Sequence, residues 1–257
     1  GSGLGEFTYN MTNLQPNTIY YVRAYATNEK GTAYGEEVSF STESLLSEPT
    51  GMENGYGYVD LGLSVKWATM NVGASKVEDY GSYFAWGEIE EKRYYYEHIS
   101  SKHIDVNVEG VGTLGGSSLS AAVTKYSKMD RKTVLDNEDD CANRIMGAKW
   151  NVPTKEQMQE LIDNCEWTYI IKNGTSGILV KSKVNDNSIF LPLAGYKTGH
   201  RTKGTIRQFR STEAFYWTSS LKYDESVDSK KSNVLQAHAL YMKSTSQTLM
   251  PFHRANG

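Results

Sequence analysis

The sequence predicts an α+β domain preceded by a small antiparallel β unit, and three observations carry that expectation. Near the N-terminus, "LQPNTIYYVRAYATN" alternates with period two: Tyr20, Val22, Ala24 and Ala26 face one way, Tyr21, Arg23, Tyr25 and Thr27 the other. Further on, "WNVPTKEQMQELIDNCEW" opens on a helix-capping pattern. Between and after these, apolar runs such as "GILVKSK" and "SIFLPLAGY" are separated by turn residues.

The first strand is bounded by Pro16 and Asn17 before it and by Asn28 and Gly31 after it. "EEVSFST", residues 36 to 42, supplies a second strand with Val38 and Phe40 on one face, and the two are expected to pair as a hairpin. A hairpin by itself buries too little apolar area to offset chain entropy, so it calls for a cover. Residues 1–43 are therefore read as a partial β module and residues 44–57 as a linker, because alternation stops and Ser, Glu, Gly and Pro dominate. Residues 58–257 form the second domain, opened by the alternating Val59, Leu61, Leu63 and Val65.

In that domain Thr154 and Gln157 make a capping box, and Met158, Leu161 and Ile162 share one face of a helix expected over 155–164. The acidic run "VLDNEDD" holds Asp136, Glu138, Asp139 and Asp140 and is read as the first turn of a helix near 138–146, not as a metal site, since it lacks EF-hand spacing. Trp67, Trp86, Trp150, Leu161, Phe190, Leu191 and Trp217 are the expected core, with truncation of Trp150 costing about 3–5 kcal/mol. "NDN", residues 185–187, joins two strands.

Composition excludes several functions. In 257 residues, 39% are hydrophobic and 22% charged, as in globular domains, and the net charge of −3 comes with no basic face to neutralise phosphates, so no nucleic-acid partner is expected. No stretch approaches 18 apolar residues, so no direct membrane insertion is expected. Cys141 and Cys165 are the only cysteines; either they pair across packed elements or they stand as buried free thiols. The 5 His form no HExxH, and no GxSxG is present, so no cofactor, metal or catalytic constellation is expected. The 18 Tyr suit β-rich modules of the extracellular kind.

Two resemblances sharpen this reading. The run "LQPNTIYYVRAYATN…GEEVSFST" resembles the last three strands of a fibronectin type III-like β-sandwich, with Leu14, Pro16, Thr18 and Tyr20 in the segment that places a tyrosine corner. The blocks "YVDLGLSVKWAT", "EDYGSYFAWGE", "VPTKEQMQELIDNC", "NSIFLPLAGY" and "YWTSS" resemble the Fibrobacter succinogenes major paralogous domain of Bacteroidetes surface proteins. That resemblance implies a C-type lectin-like fold of two antiparallel sheets, two helices and a long irregular region, and an extracellular or outer-surface protein whose function the family leaves poorly defined. Relative to both families the chain looks clipped: the first module lacks its early strands and the second its last. The calcium-cage strings of C-type lectins, and the late cysteine pair of formylglycine-generating enzymes on the same fold, do not occur.

Function is therefore expected in loops. "KTGHRTKGTIRQFRS" and "KYDESVDSKKSN" are long and polar; the first holds three Arg and Phe209, the second Tyr223, and Arg with aromatics is a hot-spot chemistry. Arg201, Arg207, Arg210, Phe209 and Tyr223 are the candidate ligand-binding residues, for a glycan or protein ligand. The alternative is a structural spacer with no ligand.

Overall fold

The computed structural model describes residues 5–16, 18–42, 45–92, 95, 104–105, 122–123, 125–126, 130–199, 206–222 and 236–254. The chain divides into two compact units, Gly1–Ser47 and Glu48–Gly257.

In the first unit, β1 (Ile19–Asn28) and β2 (Gly31–Ser41) form an antiparallel hairpin, with a register shift between Arg23 and Tyr25. Cross-strand pairs hold it: Tyr20 stacks on Phe40 at 5.9 Å, and Tyr25 lies 6.1 Å from Tyr34. The Tyr20 hydroxyl accepts from the Gln15 amide at 2.7 Å, which is the local bond of a tyrosine corner. Within this unit the described residues form no sheet besides the hairpin, and Tyr21, Tyr25, Tyr34 and Val38 are exposed.

The second unit opens with a meander of β3 (Gly51–Glu53), β4 (Tyr56–Val59) and β5 (Trp67–Ala68). The stretch expected to be a linker, 44–57, thus contains β3 and the start of β4. A short pair follows, β6 (Ile104–Asp105) with β7 (Ala122–Val123). After a 3-10 turn at Asn137–Asp139 come α1 (Cys141–Met146) and α2 (Lys155–Asn164). The capping box expected at α2 is present in full: Thr154 Oγ1 accepts from Gln157 N, and Gln157 Oε1 accepts from Thr154 N.

With no intervening loop α2 runs into β8 (Cys165–Lys172), which pairs with β9 (Thr175–Ser182), which pairs with β10 (Ser188–Pro192). The turn at 185–187 lies between β9 and β10, with Asp186 in the left-handed region at φ 61°. A ribbon of β11 (Lys197–Gly199) and β12 (Ile206–Gln208) leads to a second meander, β13 (Glu213–Leu221), β14 (Gln236–Lys243) and β15 (Ser246–His253).

This corrects the α+β expectation, and with it the C-type lectin-like arrangement of two helices on two sheets. The chain is mostly β: strands make up 42% and helices only 10%. Both helices are short: α1 stops at Gly147, which has φ 113°, and α2 stops because the residues after Asn164, "CEWTYIIK", are β-branched and aromatic and extend into β8. The alternation in "QAHALYMK" likewise makes a full strand of what loop composition on its N-terminal side obscures.

The main core lies where Met158 and Leu161 of α2 meet Val59, Ile178, Val180, Ile189, Leu240 and Met242 from three sheets. A second cluster gathers Trp86, Tyr126, Leu221 and Ala237. Of the expected core, Trp86, Leu161 and Phe190 are buried, whereas Trp67, Trp150, Leu191 and Trp217 are only half-buried. Each half-buried residue lines a cavity, and so lacks neighbours on one side. Cys141 and Cys165 are free thiols.

Candidate functional site

Alternation along the last three strands sorts their side chains onto two faces. Ala214, Leu240 and Met242 turn into the main core. Phe215 and Trp217 of β13, Tyr241 of β14 and Phe252 of β15 occupy the opposite face, where small Ala237 and Ala239 leave room for rings. Phe252 stacks on Phe215 at 4.0 Å and lies 5.4 Å from Trp217, and Phe215 is 4.7 Å from Tyr241. Tyr196, just before β11, closes the array at 4.9 Å from Phe215 and 5.3 Å from Phe252. Phe209, one of the residues expected to bind, stacks on Tyr196 at 4.8 Å. All of these rings are half-buried.

Gly195 sets the position of Phe209 and Arg210. It has φ 70°, and a Cβ there would stand 2.7 Å from both Phe209 C and Arg210 N. Its amide donates to Glu213 O at 2.7 Å, and Ser211 N donates to Leu193 O at 2.8 Å, so the two segments are stitched side by side.

Arg210 is exposed but ordered by aromatics. Its guanidinium lies 4.8 Å from the Tyr80 centroid and 5.4 Å from that of Tyr83, and Nε donates to the Tyr83 hydroxyl at 2.8 Å. The Tyr83 hydroxyl in turn donates to Ala194 O at 2.6 Å. Burial raises the Tyr83 pKa, against the opposing pull of Arg210. Lys197 packs on the other ring neighbours, 4.4 Å from Tyr83 and 5.9 Å from Tyr95, and pairs with Glu91 at 3.5 Å.

The structure therefore brings together Phe209 and Arg210 of the five expected binding residues. Arg201 and Tyr223 lie outside the described residues, as does the side chain of Arg207, whose backbone pairs with Thr198 in the β11–β12 ribbon. Tyr80, Tyr83, Tyr196, Tyr241 and Phe252 were not legible as site residues. The period-two pattern of β14 and β15 carries a signal for Tyr241 and Phe252; nothing local marks Tyr80 or Tyr83.

Tyr80 and Tyr83 also line a cavity of 340 Å³, walled further by Trp67, Phe84, Trp150 and Tyr216. Among its polar groups Asn71 Nδ2 donates to Tyr80 O and to the Tyr216 hydroxyl, both at 3.0 Å, and that hydroxyl donates to Pro192 O at 2.8 Å, whereas the buried Trp67 Nε1 has no hydrogen-bond partner among the described residues. Burial pushes the Cys141 thiol, also in the wall, up to about 12, so it is no thiolate nucleophile at neutral pH.

The acidic run forms a separate arrangement. The Lys125 ammonium lies 2.7 Å from Asp136, 2.6 Å from Glu138 and 2.6 Å from Asp139. The three carboxylates could converge on an ion, but a side-chain cation already occupies their focus. Burial works to lower the Lys125 pKa, yet its hydrogen bonds to Asp136, Asp139 and Glu138 outweigh this and raise it. Asp140 is a cap: Oδ1 accepts from Ala142 N and Asn143 N, and Oδ2 from Val152 N.

No family model, curated protein or solved structure matches this chain. No helix among the described residues is long and apolar enough to cross a membrane.

Proposed function

We propose that the Glu48–Gly257 unit is a non-catalytic ligand-binding module of an extracellular surface protein, of the kind its sequence blocks resemble, and that its ligand is a glycan. The observation that carries this is the half-exposed array of Tyr196, Phe209, Phe215, Tyr241 and Phe252 on a rigid sheet face. Aromatic faces attract the C–H-rich faces of pyranose rings, and an amphipathic ring tolerates both the water outside and the sugar above it. A contiguous apolar patch rimmed by polar groups is otherwise costly on a soluble surface. The rim here is polar: Tyr241 donates to Glu213 at 2.9 Å, and the Lys243 ammonium lies 5.3 Å from the Tyr241 ring. Arg210 gives the neighbouring surface a fork suited to uronic acids or sulfates.

The test is a glycan array on the full chain, followed by calorimetric titration of the best binders with Phe252→Ala and Phe209→Ala proteins in the presence of EDTA. Binding that weakens by about tenfold or more in each variant, with folding intact, supports the reading. A spacer without a ligand would bind nothing on the array, and that result would overturn it.

A further inference from the structure

The two edges of the β8–β9–β10 sheet differ. β10 is buried along most of its length and ends in Pro192. β8 has neither protection: its register on β9 runs unbroken from Cys165–Ser182 to Lys172–Thr175, it holds no Pro or Gly, and Tyr169 and Ile171 are exposed, Ile171 by 65%. Regular edges of this kind are ordinarily blunted or covered. The hydrogen bonds show which groups this one presents. Ser176 O accepts from Leu193 N and Ser182 N donates to Asn187 O, so the even residues of β9 bond on the β10 side, while Lys183 N donates to Asn164 O on the β8 side. Alternation then turns Gly177, Leu179 and Lys181 to their partners Ile170, Thr168 and Glu166 in β8. Trp167, Tyr169 and Ile171 are left with N–H and C=O facing outward, and among the described residues no other strand pairs with that edge.

We propose that β8 is a dimerisation edge, on which a second copy of this chain adds antiparallel to make one continuous sheet across a two-fold axis at Tyr169. Two constraints fix that register. A strand bonds outward through alternate residues only, so each outward-facing residue must oppose another, and the axis passes through a residue. The charged side chains of β8 are Glu166 and Lys172, and neither forms an ion pair among the described residues; Lys181, across from Glu166 on β9, is held by Asp186 at 2.8 Å. Only an axis at Tyr169 sets Glu166 opposite the partner's Lys172, and symmetry repeats the pair at the other end. Both residues bond inward to β9, so they meet as the closer, non-hydrogen-bonded kind of pair. In the same register Tyr169 exchanges both backbone bonds with Tyr169 of the partner subunit, and Trp167 does so with the partner's Ile171. The exposed Ile171 side chain thereby gains an aromatic neighbour. An unrelated extended peptide would satisfy the backbone but not this reciprocal charge pattern. The edge is independent of the glycan reading, since no β8 residue belongs to the array of rings around Phe215.

The experiment is sedimentation velocity on the full chain over a range of concentrations, at low and at high salt. The expected result is a concentration-dependent dimer that weakens as salt screens the end pairs. Lys172→Glu and Glu166→Lys each bring like charges together at both ends and weaken dimerisation by about tenfold or more. Mixed in equal amounts, those two proteins dimerise with each other, and a chain carrying both substitutions recovers dimerisation, because opposite charges face each other again. Ile171→Pro, which removes an outward N–H and costs β9 no bond, abolishes the dimer. Circular dichroism and thermal melts establish that each variant is folded, and the mixing arm decides the matter should Ile171→Pro not fold. A monomer at every concentration, a dimer that survives Lys172→Glu, or no recovery in the mixture would overturn the proposal.

Discussion

Gly195 and Arg210 come so close that any side chain on the first would stand 2.7 Å from the amide nitrogen of the second. The contact is backbone on backbone, so no rotamer change relieves it, and the φ of 70° at Gly195 adds strain for any L residue. Gly195→Ala is expected to displace the Phe209–Arg210 segment and to destabilise the unit by about 1–3 kcal/mol. Chemical denaturation measures the cost, and loss of the Tyr196–Phe209 stacking shows as a changed near-ultraviolet circular dichroism signal. An unchanged melt and spectrum would mean the close approach is not needed.

Asp140 ties α1 to the chain that follows it, since one carboxylate satisfies Ala142, Asn143 and Val152 amides. Asp140→Ala is expected to cost about 2 kcal/mol, the upper end for a helix cap. Burial raises the Asp140 pKa, so the charge itself is disfavoured there. Asp140→Asn, which keeps an acceptor oxygen, is therefore expected to recover part of the loss.

The Lys125 cluster predicts indifference to divalent cations: added calcium or EDTA leaves the melting temperature unchanged, because an ammonium holds the focus of Asp136, Glu138 and Asp139. Lys125→Met takes the ammonium from the fully buried Asp139 carboxylate, which keeps the hydrogen bond from the Tyr126 hydroxyl at 2.7 Å, and is expected to cost about 3 kcal/mol. Hydrogen bonds from Lys125 and then Lys132 lower the Asp136 pKa below 3.8, so its contribution is present above that value and is lost as pH falls through the folded pKa. The acid limb of the melting curve should flatten in Lys125→Met.

His238 titrates in the opposite chemical sense but with the same sign. Burial lowers its pKa below 6.5, assisted by the charges of Lys155 and Lys222. The folded state thus prefers the neutral imidazole; stability is full above pH 6.5 and declines as pH falls through the folded value. His238→Gln should remove that part of the decline below pH 6.5 when melts are compared with the parent protein.

The tryptophans separate by environment. Trp86 is buried, donates to Thr218 O at 2.8 Å and carries the Arg254 guanidinium at 4.5 Å, so Trp86→Ala is expected to cost about 3–5 kcal/mol. Trp150 is half-buried against Tyr56 at 6.4 Å, and its truncation should cost about 2 kcal/mol, less than its sequence context suggests. Equal losses at both positions would contradict this ordering.

What the sequence by itself determined was local. The capping box at Thr154, the helix from Lys155 to Asn164, the Tyr20–Gln15 bond and the turn at Asp186 rest on neighbours within a few residues, and the hairpin of Tyr20 and Phe40 on two alternating strands joined by a short turn, where hydrogen-bond geometry and side-chain period leave few options. The predominance of β structure needed more, because a hairpin is stable only once further strands and a core cover it: β8 and β9 join β10, β14 and β15 join β13, and side chains of both sheets meet α2 in the main core. The candidate site was legible only at Phe209 and Arg210. Their partners Tyr196, Tyr80 and Tyr83 come from segments up to 130 residues away by the count from Tyr80 to Arg210, brought alongside through Gly195 and the Tyr83 hydroxyl. No spacing rule encodes such a contact, since it depends on where folded segments cross, and only the tertiary structure decides that.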